Sequence, residues 1–138
     1  MHFDLIDNVI ELSDNRIVAI KNVSLSEEYL QDHFPSFPVL PGVLMLETMV
    51  QAARRLLIHR DPALSRHVLG SVRALKYGSF VRPGETLEVE VSLGKEMRSG
   101  VYEFRGSGRS LSNGGGKPSP AKNTVGGRFT LRPPSPLR

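Results

Sequence analysis

The sequence predicts an α+β domain in which an antiparallel sheet wraps around one central helix. Three observations predict it. From Val43 to Leu57 apolar residues (Val43, Leu44, Met45, Leu46, Met49, Val50, Ala52, Ala53, Leu56 and Leu57) fall on almost every side of a helix. Such a helix is expected to be buried, and about fifteen residues is too short to cross a membrane. Two segments of strand composition precede it. Past it the apolar period changes to two, most cleanly from Thr86 to Leu93, where Leu87, Val89, Val91 and Leu93 alternate with Thr86, Glu88, Glu90 and Ser92. One helix between strands of a single sheet is an α+β arrangement.

The elements follow in order. Phe3 to Leu12 suits a first strand, Ser13-Asp14-Asn15 is turn chemistry, and Arg16 to Val23 suits a second strand. Ser24 or Ser26 is placed to cap a short helical turn through Glu27, Glu28 and Tyr29. Pro35, Pro38 and Pro41, each with its φ locked, stiffen the loop that leads into the helix near Gly42. The helix is expected to run to about Ile58, and His59-Arg-Asp-Pro62 closes it because proline cannot continue a helix. His67 to Tyr77 reads as a strand, Pro83-Gly84 as a turn, and Val101 to Arg105 and Arg128 to Arg132 as further strands.

Between those last two, Ser107 to Gly127 is rich in Gly, Ser, Lys and Pro and reads as a flexible insert, with Asn113-Gly114 as its tight turn. The expected domain is therefore a single one over 1–132 with this insert at 107–127, followed by a Pro-rich tail at 133–138. A sheet around one helix leaves edge strands that need cover, so pairing of two chains through an edge is expected.

Length and charge narrow the classes. At 138 residues the chain is long enough for a real core, and with no cysteine it holds neither disulfides nor thiolate metal sites. No basic-then-apolar leader pattern opens it and no stretch reaches membrane-spanning length, so a cytoplasmic protein is expected. The net charge of +4 hides an asymmetry: residues 1–50 carry two basic and eight acidic side chains, residues 51–138 sixteen basic and six acidic. A basic second half suits an acidic partner. Nucleic acid is disfavoured, because the basic residues are scattered and aromatics are few.

The chemistry concentrates around the helix start. Within the apolar stretch stands one carboxylate, Glu47, with Gln51 one turn further on the same face. Burial would raise the pKa of Glu47 and keep a proton available. His33, in the loop before it, titrates near neutral pH. A base and an acid facing one cavity can take a proton and a hydroxyl from adjacent carbons. Between them, the free N–H groups at Gly42-Val43 can bind a carbonyl oxygen that is gaining charge. Gly42 lacks a side chain, which would let a substrate approach closely, and the apolar helix could line an alkyl slot. The alternatives are plain: a histidine held among prolines, and a carboxylate satisfied by Gln51. Met45 and Met49 read as core. His2, His59 and His67 have no partner at metal spacing and read as surface or incidental. Arg54, Arg55, Arg73, Lys76 and Arg82 are either a docking surface or a solvated face.

The stretch His33-Phe-Pro-x-x-Pro-x-x-Pro-Gly-Val-Leu-x-x-Glu47-x-Met-x-Gln51-Ala resembles the motif of the 3-hydroxyacyl-[acyl-carrier-protein] dehydratases of fatty-acid synthesis. Lys21-Asn-Val23 and Phe80-Val-Arg-Pro-Gly-Glu85-Thr-Leu resemble that family too, in the right order. The resemblance implies a hot-dog fold and a dimer, with assembly to a trimer of dimers also compatible. It implies that His33 of one chain takes the C2 proton and Glu47 of the other protonates the leaving C3 hydroxyl. It implies that the Gly42 N–H holds the thioester oxygen, that Gln51 orients Glu47, and that Val43, Phe34 and Phe80 stand at the substrate. The acyl chain would ride on the phosphopantetheine arm of an acidic carrier protein, with no metal or cofactor required. Ser36 stands where the family usually has Gly, the N-terminal segment looks short, and a gating aromatic is replaced near Val68 or Leu69. A hot-dog thioesterase, in which Glu47 would activate water, and a non-catalytic acyl-binding homologue are the alternatives.

Overall fold

The computed structural model describes residues 4–24, 39–112 and 121–135. Two strands come first, β1 (Asn8–Leu12) and β2 (Arg16–Asn22), then one long helix, α1 (Gly42–Arg60). A short 3-10 turn at Pro62–Leu64 follows, and then β3 (Val68–Tyr77), β4 (Glu85–Arg98), β5 (Val101–Ser112) and β6 (Lys122–Arg132). The six strands form one antiparallel sheet in the order β1-β2-β4-β5-β6-β3. The expected α+β architecture is observed.

Local chemistry sets the turns. Ser13 N–H donates to the Arg16 carbonyl at 2.9 Å and closes β1 onto β2 at the expected Ser-Asp-Asn. Before β4, Gly84 has φ +89, a backbone state that side chains resist. There its N–H reaches the Val23 carbonyl at 2.8 Å while Val23 N–H reaches Glu85 at 3.0 Å. Past Leu57 the helix ends at Asp61, whose N–H still reaches the Leu57 carbonyl at 2.8 Å, before Pro62 stops it.

The core lies between α1 and the inner face of the sheet. Met45, Met49, Ala53 and Leu56 pack there with Ile17, Leu87, Val89 and Val91, and Phe104 stacks on Phe129 with centroids 5.6 Å apart. Burying each of the Val, Leu, Ile, Met and Phe side chains there stabilises the fold by about 1.5–3 kcal/mol.

Four expectations are corrected. The first strand begins at Asn8 rather than Phe3: Leu5 and Ile6 are buried, but the Leu5 N–H leaves the strand ladder for the Gln51 side chain. The helix is not buried on every side, because one sheet covers one side; Val43 is 66% exposed and Ile58 is exposed. His67 is buried, not on the surface, with Nε2 2.7 Å from the Gly100 carbonyl oxygen. Finally, the insert at 107–127 is largely strand. β5 continues to Ser112 and β6 starts at Lys122, so only 113–120, with the expected Asn113-Gly114 turn, lies outside the described residues.

The reason is steric. On β5 the inward positions after Phe104 are Gly106, Gly108 and Ser110, all buried. A β-carbon on Gly106 would stand 2.7 Å from Met49 Sδ, and one on Gly108 would stand 2.8 Å from Val125 Cγ1. The glycines mark a strand approached closely by its neighbours, not a loop.

Candidate active site

Helix α1 starts without a side-chain cap: Pro41 precedes it with φ −59 and ψ 141 and offers no side-chain hydrogen bond. The Pro41 carbonyl accepts from Leu44 at 3.0 Å and from Met45 at 3.3 Å. That leaves the N–H groups of Gly42 and Val43 without an intrahelical acceptor. The start is held from two sides. Leu40 N–H donates to the Val81 carbonyl at 2.8 Å. The Tyr77 ring, at the end of β3, lies against Gly42: a β-carbon there would be 2.9 Å from Tyr77 Cε1 and 3.1 Å from Cζ. The bare Cα of Gly42 thus admits the Tyr77 ring.

Val43, Glu47 and Gln51 follow at four-residue spacing and share one face of α1. That face is the one the sheet leaves uncovered. Val43 is exposed, and Glu47 and Gln51 are half-buried, while Met45, Thr48, Met49, Ala52 and Leu56 on the opposite side are buried. Glu47 is therefore not the fully buried carboxylate the sequence led us to expect. Gln51 Nε2 donates to Glu47 Oε1 at 3.4 Å, and Gln51 Oε1 accepts from the Leu5 N–H at 2.8 Å. One amide thus ties the carboxylate to the segment before β1. Arg55 lies 3.5 Å from Asp4 on the same segment, and Arg54 donates to the His67 carbonyl at 3.1 Å.

Glu47 and Gln51 are brought together, with Gly42 and Val43 further up the same helix. Phe80 is 56% exposed and borders a cavity with Ser79, Arg82, Glu85, Ser110 and Lys122, whose described lining includes neither Glu47 nor Gln51. His33, Phe34 and Ser36 lie outside the described residues, as do Ser26, the expected turn at 27–29 and His2. The identified cavities bordered by described residues are lined by strands β3 to β6 and the β3–β4 loop, and none of them includes Glu47 or Gln51. Among the described residues no group of His, Asp and Glu could hold a metal ion, and no helix is long and apolar enough to cross a membrane.

Sequence reasoning missed two contributors. Tyr77 was read only as the end of a strand, and no period links it to Gly42. Leu5 enters through its backbone N–H, which no side-chain pattern signals.

The family described as the FabA-like domain matches residues 1–113. A 3-hydroxyacyl-[acyl-carrier-protein] dehydratase FabZ from Magnetococcus marinus is 44% identical over 108 residues, covering 75% of this chain and 70% of that protein. One from Pediococcus pentosaceus is 41% identical over 100 residues, covering 70% and 67%. Among solved structures, the dehydratase heterocomplex ApeI:P from Xenorhabdus doucetiae superposes with a TM-score of 0.72 at 21% identity, over 96% of this chain and 84% of that one. The last likeness speaks for the fold alone.

Proposed function

The chain belongs to the FabA-like family, where its matched relatives are 3-hydroxyacyl-[acyl-carrier-protein] dehydratases, and on that premise we propose how it removes water from a 3-hydroxyacyl thioester borne by an acyl carrier protein in fatty-acid biosynthesis. As a member it is a hydro-lyase, and the product is a trans-2-enoyl thioester. The observation that carries the reading is the uncovered stripe of α1, on which Glu47 stands hydrogen-bonded to Gln51 below the free N–H groups of the helix start.

His33 takes the C2 proton. The C3–O bond breaks, and Glu47 serves as the acid that delivers a proton to the departing hydroxyl, so water leaves. The Gly42 N–H, aided by Val43, holds the thioester oxygen as it gains charge, which is the use a helix N-terminus suits. Gln51 orients Glu47, and Phe34 and Phe80 flank the acyl path. No metal or cofactor enters this scheme.

A second copy of the chain would cover the stripe. The half-buried Glu47 face and the open edge of β3 support a homodimer in which His33 of one protomer meets Glu47 of the other. A trimer of such dimers is compatible with it. The basic second half of the chain supports an acidic carrier protein as the substrate's bearer, in the cytoplasm.

The test is incubation of the full chain with a 3-hydroxyacyl carrier protein or coenzyme A analogue. Enoyl product that disappears in His33→Ala and Glu47→Gln is expected. Free thiol instead would assign a thioesterase, and neither product would leave an acyl-binding protein.

A further inference from the structure

The outer face of the sheet, turned away from α1, carries one row of side chains across five strands. Arg73 on β3, Arg128 on β6, Arg105 on β5, Ser92 on β4 and Arg16 on β2 stand each directly opposite the next. Like charges placed so repel one another, and two of the row's four arginines are neutralised. Arg16 is ion-paired with Glu11 and Glu90, and Arg73 with Glu103. Two residues further along β5 from Ser107, Arg109 is paired with Glu88. Arg105 and Arg128 are the exception. Both are exposed, they face each other across β5 and β6, and among the described residues neither has an ion pair or a side-chain hydrogen bond.

A ligand-sized space lies beside them. A cavity of about 350 Å³ is walled by Arg105, Arg128, Ser92, Ser107, Gly127 and Ala74. Glu90 also borders it, but its carboxylate is held by Arg16 at 2.9 Å. A second cavity of about 300 Å³ borders the same two arginines and Ser92, with Glu103, held by Arg73, at its margin. In the wall of the first, Ala74 has φ 53, inside the break in β3 register between Arg73 and Lys76. A residue with a β-carbon held in the left-handed region marks local strain, which concentrates at functional sites.

We propose that Arg105 and Arg128 bind a phosphate group, as a monoester or as the free ion. Two guanidinium forks match phosphate oxygens in geometry. A phosphate monoester carries close to two negative charges near neutral pH, which balances both arginines where a single carboxylate would leave one unmatched. The hydroxyls of Ser92 and Ser107 are additional donors in the same wall. The site is on the opposite side of the sheet from the Glu47 stripe and does not depend on the reading of that stripe.

The test is calorimetric titration of the full chain with inorganic phosphate against chloride at equal ionic strength. Saturable phosphate binding is expected, weakened about tenfold or more in Arg105→Gln and in Arg128→Gln. Coenzyme A, with its 3′-phosphate monoester, and dephospho-coenzyme A separate the sources. Tighter binding of coenzyme A alone supports a nucleotide-borne phosphate, and equal binding of phosphate and coenzyme A supports the free ion. In Arg128→Glu an internal ion pair with Arg105 should raise the Tm of the free protein and abolish the further rise given by phosphate. Heat no different from chloride, or affinity unchanged in both glutamine variants, would overturn the proposal. So would a phosphate-induced rise in Tm that survives in Arg128→Glu. Loss of carrier-protein binding in the variants without any phosphate binding would also overturn it, by assigning the pair to a protein surface.

Discussion

The ring of Tyr77 occupies the space where a β-carbon on Gly42 would stand, 2.9 Å from Cε1. The last residue of β3 thereby sets the position of the first residue of α1. Gly42→Ala forces the ring aside. Because Tyr77 is 49% exposed, the ring can move outward, so the cost should be near the low end of an overpacked site, about 1 kcal/mol. Denaturant unfolding of Gly42→Ala, Tyr77→Ala and the double variant measures it. The two changes should couple, the double variant losing less than the sum.

Glu47→Gln removes a proton donor and keeps a carbonyl oxygen for Gln51 Nε2 to reach. The variant should fold with an unchanged Tm and lose about 10²–10⁴-fold in dehydration rate. Enoyl formation followed by absorbance checks the rate, and a thermal melt checks the fold.

Gln51→Leu takes away the acceptor of the Leu5 N–H in a segment where Leu5 is 1% exposed. An amide left unpaired there should destabilise the chain by about 1–3 kcal/mol. Activity should fall with it, since Glu47 loses the same partner. Gln51→Glu retains an acceptor and should recover most of the stability in urea unfolding.

Gly106→Ala and Gly108→Ala should differ. The new methyl at 106 meets Met49 Sδ at 2.7 Å, the far end of a flexible side chain. At 108 it meets the branched Val125 Cγ1 at 2.8 Å and Leu87 Cδ1 at 3.1 Å. Both changes should destabilise, by roughly 1–3 kcal/mol, with Gly108→Ala the worse. Met49→Ala should rescue Gly106→Ala in part and leave Gly108→Ala unrelieved.

Glu90 is held below the ordinary carboxylate value of 4.5, first by its hydrogen bond with Arg16 and then by the charges of Arg16 and Arg109, against a burial effect that raises it. A carboxylate whose folded pKa is depressed adds stability that is complete above its unfolded value. That stability is lost as pH falls through the folded one. Glu90→Gln should therefore lower the Tm above pH 4.5 and make no difference at pH values below both pKa values. Melts of the two proteins across that acid limb should converge.

Much of this fold was legible from periodicity. The alternation at Leu87, Val89, Val91 and Leu93, the turn at Ser13-Asp14-Asn15 and the apolar run from Val43 each name their element, because local chain geometry requires those spacings. The strand through Gly106 and Gly108 was not legible, since its inward side chains are too small to register as apolar. Its identity as a strand comes from its pairing with β4 and β6, where Met49 and Val125 approach it closely.

The candidate site divides the same way. That Glu47 and Gln51 share a helix face follows from four-residue spacing, and the free N–H groups follow from Pro41-Gly42 at a helix start. Which face stays open, that Tyr77 covers Gly42, and that Arg105 meets Arg128 were decided by tertiary structure alone. Spacing along one chain dictates which side chains of an element point together. Only the packing of distant elements dictates what each face then meets, because those contacts depend on register and crossing between segments far apart in sequence.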